Sequence, residues 1–241
     1  MAKEHHIMTI GVINVVDSLL ARETDCGVYI HAGREVAVAS TKSFTNQCII
    51  LSMIAIWFSQ NRKTCLEQRR SMISDLRNIS YHVQLALHNH TVLQTLSKTL
   101  AQSQHLFVLG KGSNEAIAKE GSLKLKEIAY LHAEGYSSSS LKHGPFALLQ
   151  DATPVILLDL DETHRSKNHN AYQEVSARHA LVYCITDDPT KRKSHLWIER
   201  NHTYGGLLAS IYVQLLSYYI AIEKGHHPDF PRNLAKVVTV D

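Results

Sequence analysis

Three side chains in one stretch have the types and spacing for proton-transfer chemistry. From Glu120 to Pro145 the chain reads EGSLKLKEIAYLHAEGYSSSSLKHGP. On a helix, residues three and four apart share a face, so Lys124 points the same way as Glu127, and Glu120 joins them from the turn before. A serine-rich loop follows and ends in Lys142-His143-Gly144-Pro145. A carboxylate beside a fixed cation, followed by a histidine, suits proton transfer on an anionic substrate. The pattern also has an ordinary explanation. Glu/Lys pairs at helical spacing are usually solvated and contribute well under ~1 kcal/mol.

Such side chains need a scaffold. Upstream, Leu106–Gly110 reads as a buried strand, Lys111-Gly112-Ser113-Asn114 as a tight loop, and Glu115 to about Tyr130 as the helix. Strand, glycine loop and helix N-terminus can hold a phosphate, although any strand-to-helix turn favours glycine. Downstream, Pro154–Asp159 and Leu181–Thr186 read as strands with a polar helix between them, His195–Ile198 as a short strand, and Leu207–Lys224 as an apolar helix. From Gly225 the chain reads as a coiled tail.

The N-terminal part repeats the alternation. Ile7–Val16 reads as a buried parallel strand, Asp17–Glu23 as a short helix capped by Asp17 or Ser18, and Gly27–His31 as a second strand. Ser40 or Thr41 would cap a nearly all-apolar, hence buried, helix from Phe44 to Ser59. Arg62–Leu100 reads as one or two bridging helices. The pattern predicts an α/β fold of three-layer αβα parallel sheets. The second unit should be complete with about five strands, and the first should hold only its last two. The expected divisions are residues 1–61, a helical connector at 62–100, 101–225, and a tail at 226–241.

Composition excludes several classes. The 241 residues are 44% hydrophobic and 20% charged, with net charge +3 and 16 histidines, ordinary for a globular protein. Lys191-Arg192-Lys193 is too short a basic run to suggest nucleic acid. Cys26, Cys48, Cys65 and Cys184 form no CxxC pair, so neither a metal nor a disulfide framework is expected. The adjacent pairs His5-His6 and His226-His227 would point to opposite faces of a strand, and no metal site is expected there either. No uninterrupted apolar run reaches the ~18 residues of a membrane span, and MAKEHHIMTIGV lacks a signal-peptide build. The cytosol is the default location.

The Glu120–Pro145 stretch, together with HAGREVAVASTKSFTNQ (His31–Gln47) and PRNLAKVVTVD (Pro231–Asp241), resembles the glutamine–fructose-6-phosphate aminotransferases. These isomerising enzymes make glucosamine 6-phosphate. The resemblance covers essentially the whole chain and falls on the C-terminal part of the family's sugar-isomerase (SIS) half. It implies that Glu127 is the base of a C1-to-C2 proton shift, and that Lys124 stabilises developing negative charge. It makes His143 the ring-opening histidine, supplied by a neighbouring subunit, and brings Lys236 to the keto carbon. Val38, Ser40 and Ala235 match positions that contact the sugar. The implied ligand is a sugar phosphate, with no cofactor, no nucleic acid and no membrane. The implied assembly is a homodimer, or a partner chain that supplies the rest. The family's glutaminase domain and its serine- and threonine-rich phosphate loops fall upstream of the matched region. Two departures stand out. Ser139-Ser140 replaces a Gly-Glu before the Leu-Lys-His, and Arg34 stands where a small residue or proline is usual. A non-catalytic sugar-phosphate-binding module, or a truncated remnant, is the alternative reading.

Overall fold

Strand and helix alternate along this chain to give two parallel sheets. The structure, a computed structural model, describes residues 2–62, 65–192 and 195–236. The end of the terminal motif (237–241) and Lys193 of the basic run lie outside the described residues. The chain divides into two compact units, Met1–Ser74 and Asp75–Asp241.

Unit 1 contains β1 (Ile10–Ile13), α1 (Leu19–Glu23), β2 (Cys26–Tyr29) and α2 (Lys42–Asn61). The strands pair in parallel, from Ile10 opposite Cys26 to Ile13 opposite Tyr29. Ser18 caps α1, its hydroxyl accepting from the Ala21 N–H. At α2 the expected Ser40 or Thr41 side-chain cap is replaced. Glu35 reaches back, and its carboxylate accepts from the Thr41 N–H at 2.8 Å and the Ser43 hydroxyl at 2.6 Å. A carboxylate at this end also meets the positive end of the helix dipole.

Two expectations about unit 1 are corrected. The first strand spans four residues, not the whole apolar run, and Ile7, Met8, Val15 and Val16 are exposed. The apolar helix is likewise not buried: Leu51, Met53, Trp57 and Phe58 are exposed and only Ile56 is covered. A parallel sheet normally has both faces covered. Among the described residues, unit 1 has two strands and no further layer to do this.

Helix α3 (Leu66–His88) crosses the division, and α4 (His90–Leu100) follows it. Unit 2 then builds β3 (His105–Gly110), α5 (Asn114–Ala129), β4 (His132–Ser137), β5 (Pro154–Asp159), α6 (Arg165–Ser176), β6 (Leu181–Thr186), β7 (Leu196–Trp197) and α7 (Gly205–Glu223). The strand order is β4-β3-β5-β6-β7, all parallel. The count of about five strands holds, but β4 lies where the sequence reading named no strand.

Alternate residues of β3 serve opposite faces. Phe107 and Leu109 pack with Leu157, Val175 of α6 and Leu141, all buried. On the other face α5 lies against β3 and β4 so closely that a Cβ on Gly135 would sit 2.6 Å from the Lys119 Cα. Gly110 is just as constrained: a Cβ there would be 2.1 Å from the Asn114 carbonyl oxygen. α7 packs on α5 and α4. By length and composition α7 could cross a bilayer, a feature that counting uninterrupted apolar runs passes over. Its apolar residues are used by the core: Leu208, Ala209, Val213, Leu216 and Ile220 are all buried. Each fully buried Leu, Ile or Val side chain contributes about 1.5–3 kcal/mol.

Candidate functional site

Helix α5 sets the geometry. Ala118, Gly121, Ser122, Leu125, Ile128 and Ala129 recur at helical spacing and form its buried stripe. Lys124 lies beside that stripe and is only 3% exposed, which is rare for a lysine. Its Nζ lies 2.7 Å from Glu127 Oε2 and 3.3 Å from Glu120 Oε1. One carboxylate sits a turn before it and one a turn after. Both are partly buried, their side chains 18–20% exposed. The solvated-pair explanation thus fails for Lys124. An ammonium fixed between two carboxylates can stabilise negative charge developing on a nearby oxygen. A carboxylate beside it can accept or return a proton.

The end of α5 is also defined. Tyr130 takes a left-handed conformation, φ 51°, and its N–H bonds the Leu125 carbonyl. The tail docks on this residue. The Arg232 N–H donates to Tyr130 Oη at 2.6 Å, the Arg232 guanidinium stands 4.5 Å over the Tyr130 ring, and the His226 ring lies 4.4 Å away. Burial, with Lys224 and Arg232 nearby, lowers the His226 pKa. Ala235 and Lys236 are exposed on the same tail. Lys236 is four steps along the chain from Arg232, a reach of at most about 14 Å.

His143 is placed elsewhere. It ends a 3-10 turn, Leu141–His143, after β4, and it is exposed. α5 returns the chain from the carboxyl end of β3 to the amino end of β4. Glu127, in the last turn of α5, is therefore at one end of β4, and His143 follows the other end. Six strand residues separate those ends by about 20 Å. Beyond His143 the chain turns back, so that Ala147 and Leu148 line a pocket with His105 and His132 at the amino ends of β3 and β4.

The serine loop between them is structural. Ser138 is buried and donates to Asn168 Oδ1 at 3.0 Å, and Lys111 Nζ donates to the Ser139 hydroxyl at 2.8 Å. The β3–α5 turn is closed in by its neighbours. Gly112 has φ +61°, and a Cβ there would lie 3.1 Å from the His164 ring. At the carboxyl ends of β5 and β6, buried Asp159 and Asp187 are neutralised by Lys191 at 3.2 Å and Arg165 at 2.6 Å. Burial raises the Asp187 pKa, and Arg165 only partly offsets it. Among the described residues, no group of three or more His, Cys, Asp or Glu side chains is arranged to hold a metal ion.

Val38 and Ser40 lie in unit 1 on the turn before α2, both partly buried. Sequence reasoning left Glu120 outside the proposed catalytic set and passed over Tyr130, His226 and Arg232. The signal for Glu120 was its i−4 spacing to Lys124. Nothing in the sequence paired Tyr130 with a tail about a hundred residues away.

Comparison with known proteins bears on the family and the fold. The SIS domain family model matches residues 1–57 and 99–224. The chain is 40% identical over 245 residues to glutamine–fructose-6-phosphate aminotransferase (isomerizing) 2 of Homo sapiens, across 99% of its own length. It is 38% identical over 247 residues to the corresponding enzyme of Chlorobaculum tepidum, across its whole length. The chain spans 36% and 40% of those two relatives. The C-terminal domain of glucosamine-fructose-6-phosphate aminotransferase from Francisella tularensis superposes with TM-score 0.90 at 33% identity, over 95% of this chain and 68% of that one. A glucosamine-6-phosphate deaminase from Thermotoga maritima, at 23% identity and TM-score 0.78, shares the fold alone. The fold is thus that of an α/β SIS domain. The chain belongs to the SIS domain family, in the branch that forms the C-terminal half of the glutamine–fructose-6-phosphate aminotransferases.

Proposed function

We propose that this chain carries the isomerase chemistry of glucosamine 6-phosphate formation, within hexosamine biosynthesis in the cytosol. The observation that carries the reading is the buried Glu120–Lys124–Glu127 ladder, with the lysine-bearing tail docked at the end of the same helix. The substrate is fructose 6-phosphate, with ammonia as the nitrogen source. His143 opens the ring. After C2 is converted to an imine, Glu127 takes a proton from C1 and returns it to C2. The C2 imine and C1 hydroxyl thereby become a C2 amine and a C1 aldehyde, with no net change in atoms or electrons. Lys124 stabilises negative charge on the substrate oxygen during the transfer. Lys236 approaches the keto carbon, where an amine can form a Schiff base. Val38, Ser40 and Ala235 contact the sugar.

In this reading the site is shared by two copies, each lending its His143 to the other. Residues 1–61 and 101–225 act as the two SIS portions, 62–100 as connector and 226–241 as the active-site tail. The test is proton NMR of fructose 6-phosphate with the protein in D₂O, with and without ammonium. Deuterium should enter the sugar with the wild-type chain and not with Glu127→Gln. No deuterium uptake by the wild-type chain at high concentration would overturn the proposal, and broadened sugar signals without exchange would instead favour a binding module.

A further inference from the structure

A tyrosine is an awkward residue for the place Tyr130 occupies. The position just past a helix, in the left-handed conformation, is normally glycine or asparagine, because a Cβ there crowds the backbone. A bulky residue held in that conformation is strained and persists where its surroundings require the side chain. Three contacts of the Tyr130 side chain come from the tail. Its hydroxyl accepts the Arg232 backbone N–H at 2.6 Å, its face carries the Arg232 guanidinium at 4.5 Å, and its ring lies 4.4 Å from that of His226. Tyr130 is only partly buried. The helix it terminates carries Glu127 three residues earlier.

We propose that Tyr130 is a positioning residue. It clamps the C-terminal tail to the end of the Glu127 helix and so fixes where Lys236 emerges relative to the Glu120–Lys124–Glu127 ladder. Hydroxyl and ring do different work. The hydroxyl fixes the tail's height along the ring through the Arg232 amide, and the ring is a platform for one cation and one imidazole. The backbone strain is the consequence of placing that platform at the tip of the catalytic helix instead of on a flexible loop. Only the part played by Lys236 rests on the function proposed above. The clamp itself can be read without turnover.

The experiment follows the Arg232 amide by hydrogen exchange in the whole chain, comparing wild type with Tyr130→Phe and Tyr130→Gly. Phenylalanine keeps the ring and removes the acceptor, so Arg232 exchange should rise about fivefold, the net value of one such hydrogen bond. The His226 ring-proton shifts should stay. Glycine removes the whole platform and relieves the left-handed strain. Exchange should then rise at least tenfold, and the His226 shifts should move to random-coil values, with no fall in melting temperature. In the D₂O assay, kcat should fall in Tyr130→Gly while KM for fructose 6-phosphate changes less than twofold, and Tyr130→Phe should restore most of it. Unchanged Arg232 exchange in both variants would overturn the clamp. So would a freed tail with wild-type kcat. Should the glycine variant not fold, the phenylalanine exchange result decides alone. Faster exchange in the variants beside a wild type with no turnover would uphold the clamp and sink the proposed function, so the two failures are distinguishable.

Discussion

Replacing Lys124 by methionine tests whether the α5 ladder is a buried charge cluster or a surface pair. Methionine keeps the length and helix propensity of lysine and removes its charge. The Lys124 side chain is 4% exposed, and its ammonium is the cation that both Glu120 and Glu127 contact. Removing one partner of a fully buried pair costs about 3–5 kcal/mol. Here the two carboxylates retain 18–20% exposure, so water takes up part of the loss. We therefore expect about 2–3 kcal/mol, which for a chain of this size is a fall in Tm of about 4–12 °C. Urea unfolding and thermal melts of the whole chain read this directly. Adding Glu120→Gln to Lys124→Met should regain about 1 kcal/mol or more, because it removes the repulsion that the first change exposes. A loss below about 0.5 kcal/mol for Lys124→Met would place the cluster with ordinary surface pairs and refute the reasoning.

Cys184 is 3% exposed and burial pushes its thiol pKa up to about 12. It should resist iodoacetamide at pH 8, whereas exposed Cys65, whose pKa is lowered by the Gln68 and Glu67 backbone N–H groups, should be alkylated first by mass spectrometry. Burial and then Lys191 lower the His195 pKa, outweighing Asp159 and Asp188. The unfolded state then binds the proton better, so this contribution to stability is full above pH 6.5 and is lost as pH falls through the lower folded pKa. The melting temperature should drop between pH 7 and pH 5 by less in His195→Gln than in wild type. Gly110→Ala would set a Cβ 2.1 Å from a backbone oxygen at the start of α5, and urea titration should show a loss of about 3 kcal/mol, the upper end for overpacking.

What the sequence made legible follows from which interactions are local. The α5 spacing and most of the second sheet depend on short-range periodicity, and Leu106–Gly110, Pro154–Asp159 and Leu181–Thr186 form strands where their apolar runs predicted them, whereas β4 (HAEGYS) has no apolar run and was not placed. Burial was less legible. The runs Ile7–Val16 and Phe44–Ser59 are apolar enough for a core, yet exposure depends on which other layers are present, and periodicity carries no such information. The cap of α2 was misplaced for a related reason: Glu35 reaches the helix from seven residues before its first turn. Tyr130 was hidden because its partners Arg232 and His226 are distant in sequence, and because its backbone conformation contradicts its residue type.

Whether Glu127 and His143 act together across two copies has the most direct test. Glu127→Gln and His143→Asn are made separately and then mixed, and deuterium uptake into fructose 6-phosphate is followed by NMR. If each copy lends its histidine to the other, each variant alone is inactive. The mixture then recovers about a quarter of wild-type uptake, because half the chains pair as mixed dimers and each of those holds one intact site. Two inactive variants that stay inactive after full subunit exchange would contradict the shared site. Wild-type uptake by His143→Asn alone would remove the histidine from the reaction.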